Sequence, residues 1–362
     1  MGLMRRRWKP KRLRDQVVVI TGASSGIGLA TARMAAARGA RVVLTSRNEA
    51  DLRTAAEDII IRGGRATHVV ADVAVAADMD RVADVAIREF GGFDTWVNNA
   101  GVSIYGKLID VPMEDKKRLF ETNFWGVVNG CRAAVRHFAR RGGTIINIGS
   151  VVSDRAIPLQ GMYSASKHAV LGYTDALRME LEHDKLPVTV TLVKPASINT
   201  PFVEHARNYM AEAPALPPPV YAPDVVAEAI LRCAERRIRE ITVGGGGRVI
   251  TAIGRLAPRT MDVYMERALF DQQKDKSRSV SPQDSLYSPT RDGEATGPYA
   301  GHVMKSSIYT KAVMSDVTRV LPYLAAGAML AAGVKRWRTS EGQGFRTQGF
   351  DPGLRSQVSW YS

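Results

Sequence analysis

The chain has 362 residues, enough for one large α/β domain with an appendage or for two domains, with an apolar share ordinary for a globular protein. Its net charge of +14 is uneven, because Arg5, Arg6, Arg7, Lys9, Lys11, Arg12 and Arg14 place half of the excess in residues 1–14. Two distant cysteines (Cys131 and Cys233) and six histidines without ligand spacing exclude a disulfide framework and a metal site, and point to a reducing compartment.

The first predicted element is Gln16–Ile20, a continuous β-branched run of the kind that forms a strand buried on both faces. It runs into Thr21-Gly-Ala-Ser-Ser-Gly-Ile-Gly28, and an Ala-rich helical pattern follows from Leu29 to Arg38. Strand, glycine turn and helix together make a dinucleotide site, with the glycines admitting a pyrophosphate to the helix N-terminus. The candidate contacts are Gly22, Ser24, Ser25, Gly26, Ile27 and Gly28. No Gly-Lys-Ser/Thr closes the turn, which excludes a P-loop.

Ala40–Thr45 is the second strand, and the residue at its end selects the cofactor. An acid there would hold the adenosine ribose hydroxyls and repel a 2′-phosphate. The chain has Thr45-Ser46-Arg47 instead, and a guanidinium at that place can fork onto a 2′-phosphate. NADP(H) is therefore expected in preference to NAD(H), which stays open as the alternative.

Further strands are expected at Ala66–Ala71, ending at Asp72, and at Asp94–Val97, closed by Asn98-Asn-Ala-Gly101. A helical pattern runs from Met113 to Arg140 and contains Asn123. Gly143–Gly149 is a fifth strand that delivers Ser150; Thr189–Val193 and Ile241–Val243 are the sixth and seventh. Gly244–Gly247 lacks a phosphate-loop lysine and reads as a turn. The alternation specifies an α/β, doubly wound parallel sheet.

Between the fifth and sixth strands lies Tyr163-Ser-Ala-Ser-Lys167, an i,i+4 pair on one helix face. A phenol titrates near pH ~10, and an adjacent ammonium stabilises its anion, making it a usable acid or base near neutrality.

Thr21–Gly28, Asp72, Asn98–Gly101, Asn123, Ser150 and Tyr163-x-x-x-Lys167 stand in the order and approximate spacing of the short-chain dehydrogenase/reductase family, which residues 15–250 resemble. The resemblance implies a Rossmann-fold catalytic domain that interconverts a ketone or aldehyde and an alcohol by hydride transfer. It implies Tyr163 as general acid/base, Lys167 lowering its pKa and holding the nicotinamide ribose, and Ser150 bonding the substrate oxygen. Asn123 would hold a water in a proton relay toward Lys167. Asp72 and Val73 would meet the adenine, Asn99, Ala100 and Gly101 would line the cleft, and Pro195, Ile198 and Thr200 would meet the nicotinamide and phosphates. Ser153 is the nearby alternative hydroxyl, with a shorter spacing to Tyr163. The family usually has Pro-Gly after the sixth strand, and this chain has Pro195-Ala196. Pro201–Pro223, with Phe202 and Met210, reads as a lid and leans toward an apolar substrate.

The boundaries that follow are a basic segment at 1–14, a catalytic domain at 15–262, a flexible linker at 263–300, an apolar/basic tail at 301–338 and a disordered end at 339–362. Val320–Val334 is apolar with basic flanks and shorter than the ~20 residues of a spanning helix. It reads as a docked helix or, with residues 1–14, as a membrane-surface contact through 319–338, with a spanning helix as the third alternative. The basic head carries no secretory h-region, and Arg6 breaks a myristoylation motif. With no aromatic stacking pattern or recognition helix, it is too little for nucleic-acid binding. The expectation is a cytoplasmic enzyme, peripheral to a membrane at most, that assembles as a homo-oligomer. A non-catalytic cofactor-sensing scaffold is the alternative from another class.

Overall fold

The computed structural model describes residues 9–281, 283–290 and 293–315, the side chains of 248–252 and 255 excepted. The strand-forming runs become β1 (Val17–Thr21), β2 (Arg41–Ser46), β3 (Arg65–Val70), β4 (Thr95–Asn98), β5 (Gly143–Ile148), β6 (Val188–Pro195) and β7 (Glu240–Val243). They form one sheet in the order β7-β6-β5-β4-β1-β2-β3, parallel throughout.

Strand periodicity divides the core. Val18, Ile20, Val42, Leu44, Ile146 and Val193 face one side, where α1 (Gly26–Ala37), α2 (Glu49–Ile61) and, later in the chain, the helix Pro223–Glu235 pack on them. Val17, Val19, Val43, Trp96, Ile145 and Val190 face the other. There they meet α3 (Ala76–Phe90), α5 (Gly126–Arg141), which continues from α4 (Met113–Phe120), and α6 (Gly161–His183). Burial on both faces is what the unbroken apolar runs require. Since β1 lies between β4 and β2, the chain winds outward in both directions, leaving a crevice at the carboxyl ends of these strands.

Three features differ from the expected elements. The helical pattern of 113–140 is interrupted by a π turn at Glu121–Trp125. This extra residue in the ladder lets the fully buried Asn123 face the core without ending the helix. The glycine run is a turn only at Gly244; Gly245 already begins α8, which follows the helix Pro223–Glu235 (α7) and runs to Leu256.

The third feature is the stretch 263–300, expected as a linker. The chain continues from α9 (Pro258–Tyr264) through a π turn to Gln272, and Lys274–Asp275 pairs antiparallel with Ala213–Pro214. Gln273 and Leu286 are fully buried. Val303–Met304 adds to Val220–Tyr221, and the described residues up to Met314 form one compact unit. The segment is polar in composition because backbone hydrogen bonds and a few apolar anchors, rather than an apolar face, hold it down. At the other end Leu13 is buried and its N–H donates to Glu235, so the folded unit also reaches back before residue 15. Among the described residues no helix is long and apolar enough to cross a membrane. The apolar run 320–334 and the end 339–362 lie outside the described residues.

Candidate active site

The turn after β1 is bonded to the turn after β4. Thr21 Oγ1 accepts hydrogen bonds from the backbone N–H groups of Asn99 (2.9 Å) and Ala100 (3.0 Å). The Asn99 side chain donates back to the Thr21 carbonyl at 2.9 Å. A Cβ at Gly28 would collide with the Gly22 carbonyl and lie 2.7 Å from Asn99 Nδ2, so only glycine lets α1 start this close to the strand. Gly22, Ser24, Ser25, Gly26, Ile27, Asn99, Ala100 and Gly101 all line one cleft.

At the β2 and β3 ends the same cleft is lined by Arg47, Asp72 and Val73. Asp72 accepts from Arg118 Nη2 at 2.6 Å and from the Ala74 N–H at 3.0 Å. Burial works to raise its pKa, but these bonds and the charges of Arg118 and Arg47 outweigh it and hold the carboxylate below its ordinary value. Arg47 donates to the carbonyls of Ser285, Leu286 and Tyr287, the last at 3.0 Å. Its pKa is lowered by burial, which outweighs the opposing charge of Asp72. The sequence reading aimed Arg47 at a phosphate and held no signal for these carbonyl partners.

Helix α6 places Tyr163 and Lys167 one turn apart at the inner end of the cleft. Lys167 Nζ lies 5.6 Å from the Tyr163 ring centroid and donates to the Ile148 carbonyl at 2.8 Å. Burial pulls the Lys167 pKa down to about 8. Tyr163 is pushed up to about 12 by burial, against the opposing effect of a hydrogen bond with Ser150. In this structure, then, desolvation rather than the lysine charge sets the direction of the tyrosine shift. Ser150 lines the cleft beside Tyr163 and donates to the Pro195 carbonyl at 3.4 Å. Ser153 is fully buried and accepts from the Ser150 N–H at 3.1 Å, a capping role behind the site.

Asn123 uses its amide as a clasp. Its Oδ1 accepts from the Val102 N–H at 2.8 Å, while Nδ2 donates to the Val102 carbonyl at 2.9 Å and to Ser166 Oγ at 3.1 Å. A Cβ at Gly101 would lie 3.4 Å from Asn123 Oδ1 and 3.8 Å from Lys167 Nζ, which puts both beside the same turn.

Pro195, Ile198 and Thr200 close the opposite wall, with Thr200 facing Gly26. Ala196, in place of the usual glycine, is accommodated because its neighbours are glycines. Its Cβ would be 2.8 Å from a Cβ at Gly244 and 3.3 Å from one at Gly247. The cleft encloses about 320 Å³. Past Tyr163 it is lined by Val152, Ile157, Phe202, Leu216, Tyr264 and Leu269, with the Phe202 ring centroid 5.6 Å from that of Tyr163. Met210 packs instead with Tyr105, Val203 and Ala206. Sequence reasoning missed Tyr105 and Thr122, which also line the cleft; neither stands in a motif, and only the fold carries them there. Among the described residues no group of His, Cys, Asp and Glu could hold a metal ion.

Comparison with known proteins agrees with this geometry. The family model for short chain dehydrogenase matches residues 16–211. An uncharacterized oxidoreductase of Bacillus subtilis, YxnA, is 44% identical over 334 residues, covering 91% of this chain and 93% of that protein. A 3-ketodihydrosphingosine reductase of Bacteroides thetaiotaomicron is 39% identical over 197 residues, 54% of this chain and 68% of that protein. Among solved structures, a short chain dehydrogenase/reductase from Burkholderia phymatum in complex with NAD superposes with a TM-score of 0.58 at 27% identity, over 73% of this chain and 98% of the other. An alcohol dehydrogenase from Thermococcus sibiricus complexed with 5-hydroxy-NADP gives 0.56 at 27% identity, over 63% and 95%.

Proposed function

This chain belongs to the short-chain dehydrogenase family, and we propose that it is an NADP(H)-dependent oxidoreductase that interconverts an apolar ketone or aldehyde and the corresponding alcohol. The observation that carries this reading is the convergence of Tyr163, its hydrogen-bond partner Ser150, and Lys167 at the inner end of a cleft whose other end is the glycine turn. The residues fit a dinucleotide. The glycine-lined start of α1 leaves no room for side chains between turn and helix, and Oγ1 of the cleft-lining Thr122 is buried with no hydrogen-bond partner among the described residues. Asp72 and Val73 would meet the adenine, Arg47 the 2′-phosphate, and Lys167 the nicotinamide ribose.

The nicotinamide supplies or accepts the hydride. The protein's part is proton transfer and charge stabilisation. With its pKa pushed up, Tyr163 holds its proton at neutral pH and can donate it from Oη to a carbonyl oxygen as that oxygen gains charge. Ser150 Oγ donates a second hydrogen bond to the same oxygen, which favours the transition state over the ground state. In alcohol oxidation the proton returns to Tyr163, and the Lys167 charge stabilises the phenolate that accepts it. The apolar wall of Val152, Ile157, Phe202 and Leu216 excludes water and supports an apolar substrate.

Titration with NADPH and with NADH, followed by fluorescence, tests the cofactor; single-turnover reduction of an apolar ketone by Tyr163→Phe tests the chemistry. Tight NADPH binding retained with hydride transfer reduced ~10²–10⁴-fold is expected. Full activity in the variant would remove Tyr163 from the mechanism. The NAD(H) reading is favoured by one observation, that Arg47 already donates to three carbonyls. Apolar Met113, Trp125 and Met179 side chains, exposed on α4, the π turn and α6, support assembly as a homo-oligomer, which sedimentation would measure. A cytoplasmic location, with peripheral membrane contact, completes the proposal.

A further inference from the structure

The glycine turn and the β2 end line the cofactor cleft, and α4 lies beside it, its Arg118 bonded to the lining residue Asp72. Residues 284–290 are bonded to both. On the first side Arg47 donates to the carbonyls of residues 285–287, and Asn48 Nδ2 donates to the Thr290 carbonyl at 2.8 Å. On the second side Arg118 Nε donates to the Leu286 carbonyl at 3.1 Å and Tyr287 Oη donates to Asp115 at 2.8 Å. Leu286 is fully buried in an apolar cluster with Val102 and Leu119. Farther along, the Gly26 N–H at the start of α1 donates to the Glu294 carbonyl at 2.9 Å. The Gly297 N–H donates to the Asn199 carbonyl at 3.3 Å. Ser285, Pro289 and Thr290 line the same cleft as Asp72 and Val73.

From this bridging we infer that residues 284–290 and 293–297 are a strap across the adenosine half of the cleft, and that it must lift for a dinucleotide to enter or leave. The strap is held largely through its own carbonyls, by donors on the cofactor-binding residues. Its release therefore frees Arg47, Asn48 and Gly26 together. A chain that lines the cleft and is tied both to the β2 end and to α4 beside it limits exchange in each direction, so cofactor release, rather than hydride transfer, is the step it governs. The inference rests on the dinucleotide reading of the cleft and adds a gate to it.

Two variants of the full-length chain loosen the strap by unrelated means. The pair Leu286→Ala with Tyr287→Phe removes its apolar anchor and its bond to Asp115. Gly297→Ala acts at the far end, where a Cβ would lie 2.5 Å from the Thr200 carbonyl oxygen and force the backbone away. Stopped-flow fluorescence with NADPH and with NADH reads association and dissociation rates, alongside circular dichroism melting. In each variant that melts as a folded protein, dissociation of the bound cofactor is expected to speed up on the order of tenfold, with association faster too. Amide exchange at 284–290 and 293–297 should rise by a similar factor in the variants. If neither nucleotide binds the unaltered chain, the cofactor reading fails and the gate fails with it. If nucleotide binds with the same rates in the unaltered chain and in both folded variants, the gate alone is overturned.

Discussion

Lys167 Nζ stands 5.6 Å from the centre of the Tyr163 ring and donates a hydrogen bond to the Ile148 carbonyl at 2.8 Å. Both groups are desolvated and their pKa values move toward the neutral forms: the ammonium falls to about 8 and the phenol rises to about 12. The lysine is thus the group closer to neutrality. Raising the pH through about 8 removes its charge before the tyrosine ionises. The pH–rate profile for ketone reduction, as kcat/KM, is expected to fall on its alkaline side with an apparent pKa near this value. In Lys167→Arg, whose guanidinium stays charged, that alkaline limb should move upward. An unmoved limb would assign it to another group.

The same shifts set the sign of a stability effect. Lys167 binds its proton less well folded than unfolded, so it destabilises the fold below about 8 and this penalty disappears as the pH rises toward the ordinary lysine value of 10.5. Tyr163 acts in the opposite sense, losing stability between its ordinary 10.0 and about 12 as the unfolded phenol ionises first. Replacing Lys167 by Met should therefore raise the midpoint of urea unfolding at pH 7 and leave it nearly unchanged above pH ~10.5, apart from the packing change.

Arg47→Asp tests the nucleotide preference. If the guanidinium reads a 2′-phosphate, the variant should lose NADPH affinity by ~1.5–3 kcal/mol, the range of a charge-assisted hydrogen bond, and gain NADH through the ribose hydroxyls. Equal loss of both nucleotides, measured by fluorescence titration, would instead place Arg47 as a holder of the 285–287 carbonyls.

Lys194 is buried at the end of β6 with its ammonium 2.7 Å from Asp154 and 2.5 Å from Glu240. Asp154 follows directly on the turn that carries Ser150 and Ser153. Lys194→Met leaves the Asp154 carboxylate, 2% exposed, without its ammonium, and is expected to cost ~3–5 kcal/mol of stability in denaturant unfolding. The double change Lys194→Met with Asp154→Leu should recover part of this, because removing both charges removes the desolvation cost. A double variant no more stable than the single one would contradict the pairing argument.

Gly247→Ala places a methyl group against Val151 in the cleft wall. A raised KM for bulky ketones with nucleotide affinity retained is the expected outcome. Weakened nucleotide binding in its place would put the first turn of α8 on the cofactor side of the cleft.

What the sequence determined by itself was local. Gln16–Ile20 reads as a doubly buried strand because Val17 to Ile20 are all β-branched, and the glycine spacing after it is meaningful because strand and helix signals flank it. Tyr163 and Lys167 were readable as a pair because helix geometry alone brings i and i+4 together. The tertiary structure decided the long-range relations. It inserted a π turn at Asn123 that the helical periodicity does not show, and set Ala196 against Gly244 and Gly247. It also folded the polar stretch around Leu286 onto Arg47. Those contacts run mostly through backbone carbonyls and single anchors, and every residue type has a carbonyl. A donor and acceptor 238 positions apart, such as Arg47 and Ser285, leave no periodicity or spacing to read; only the packing of the sheet brings them together.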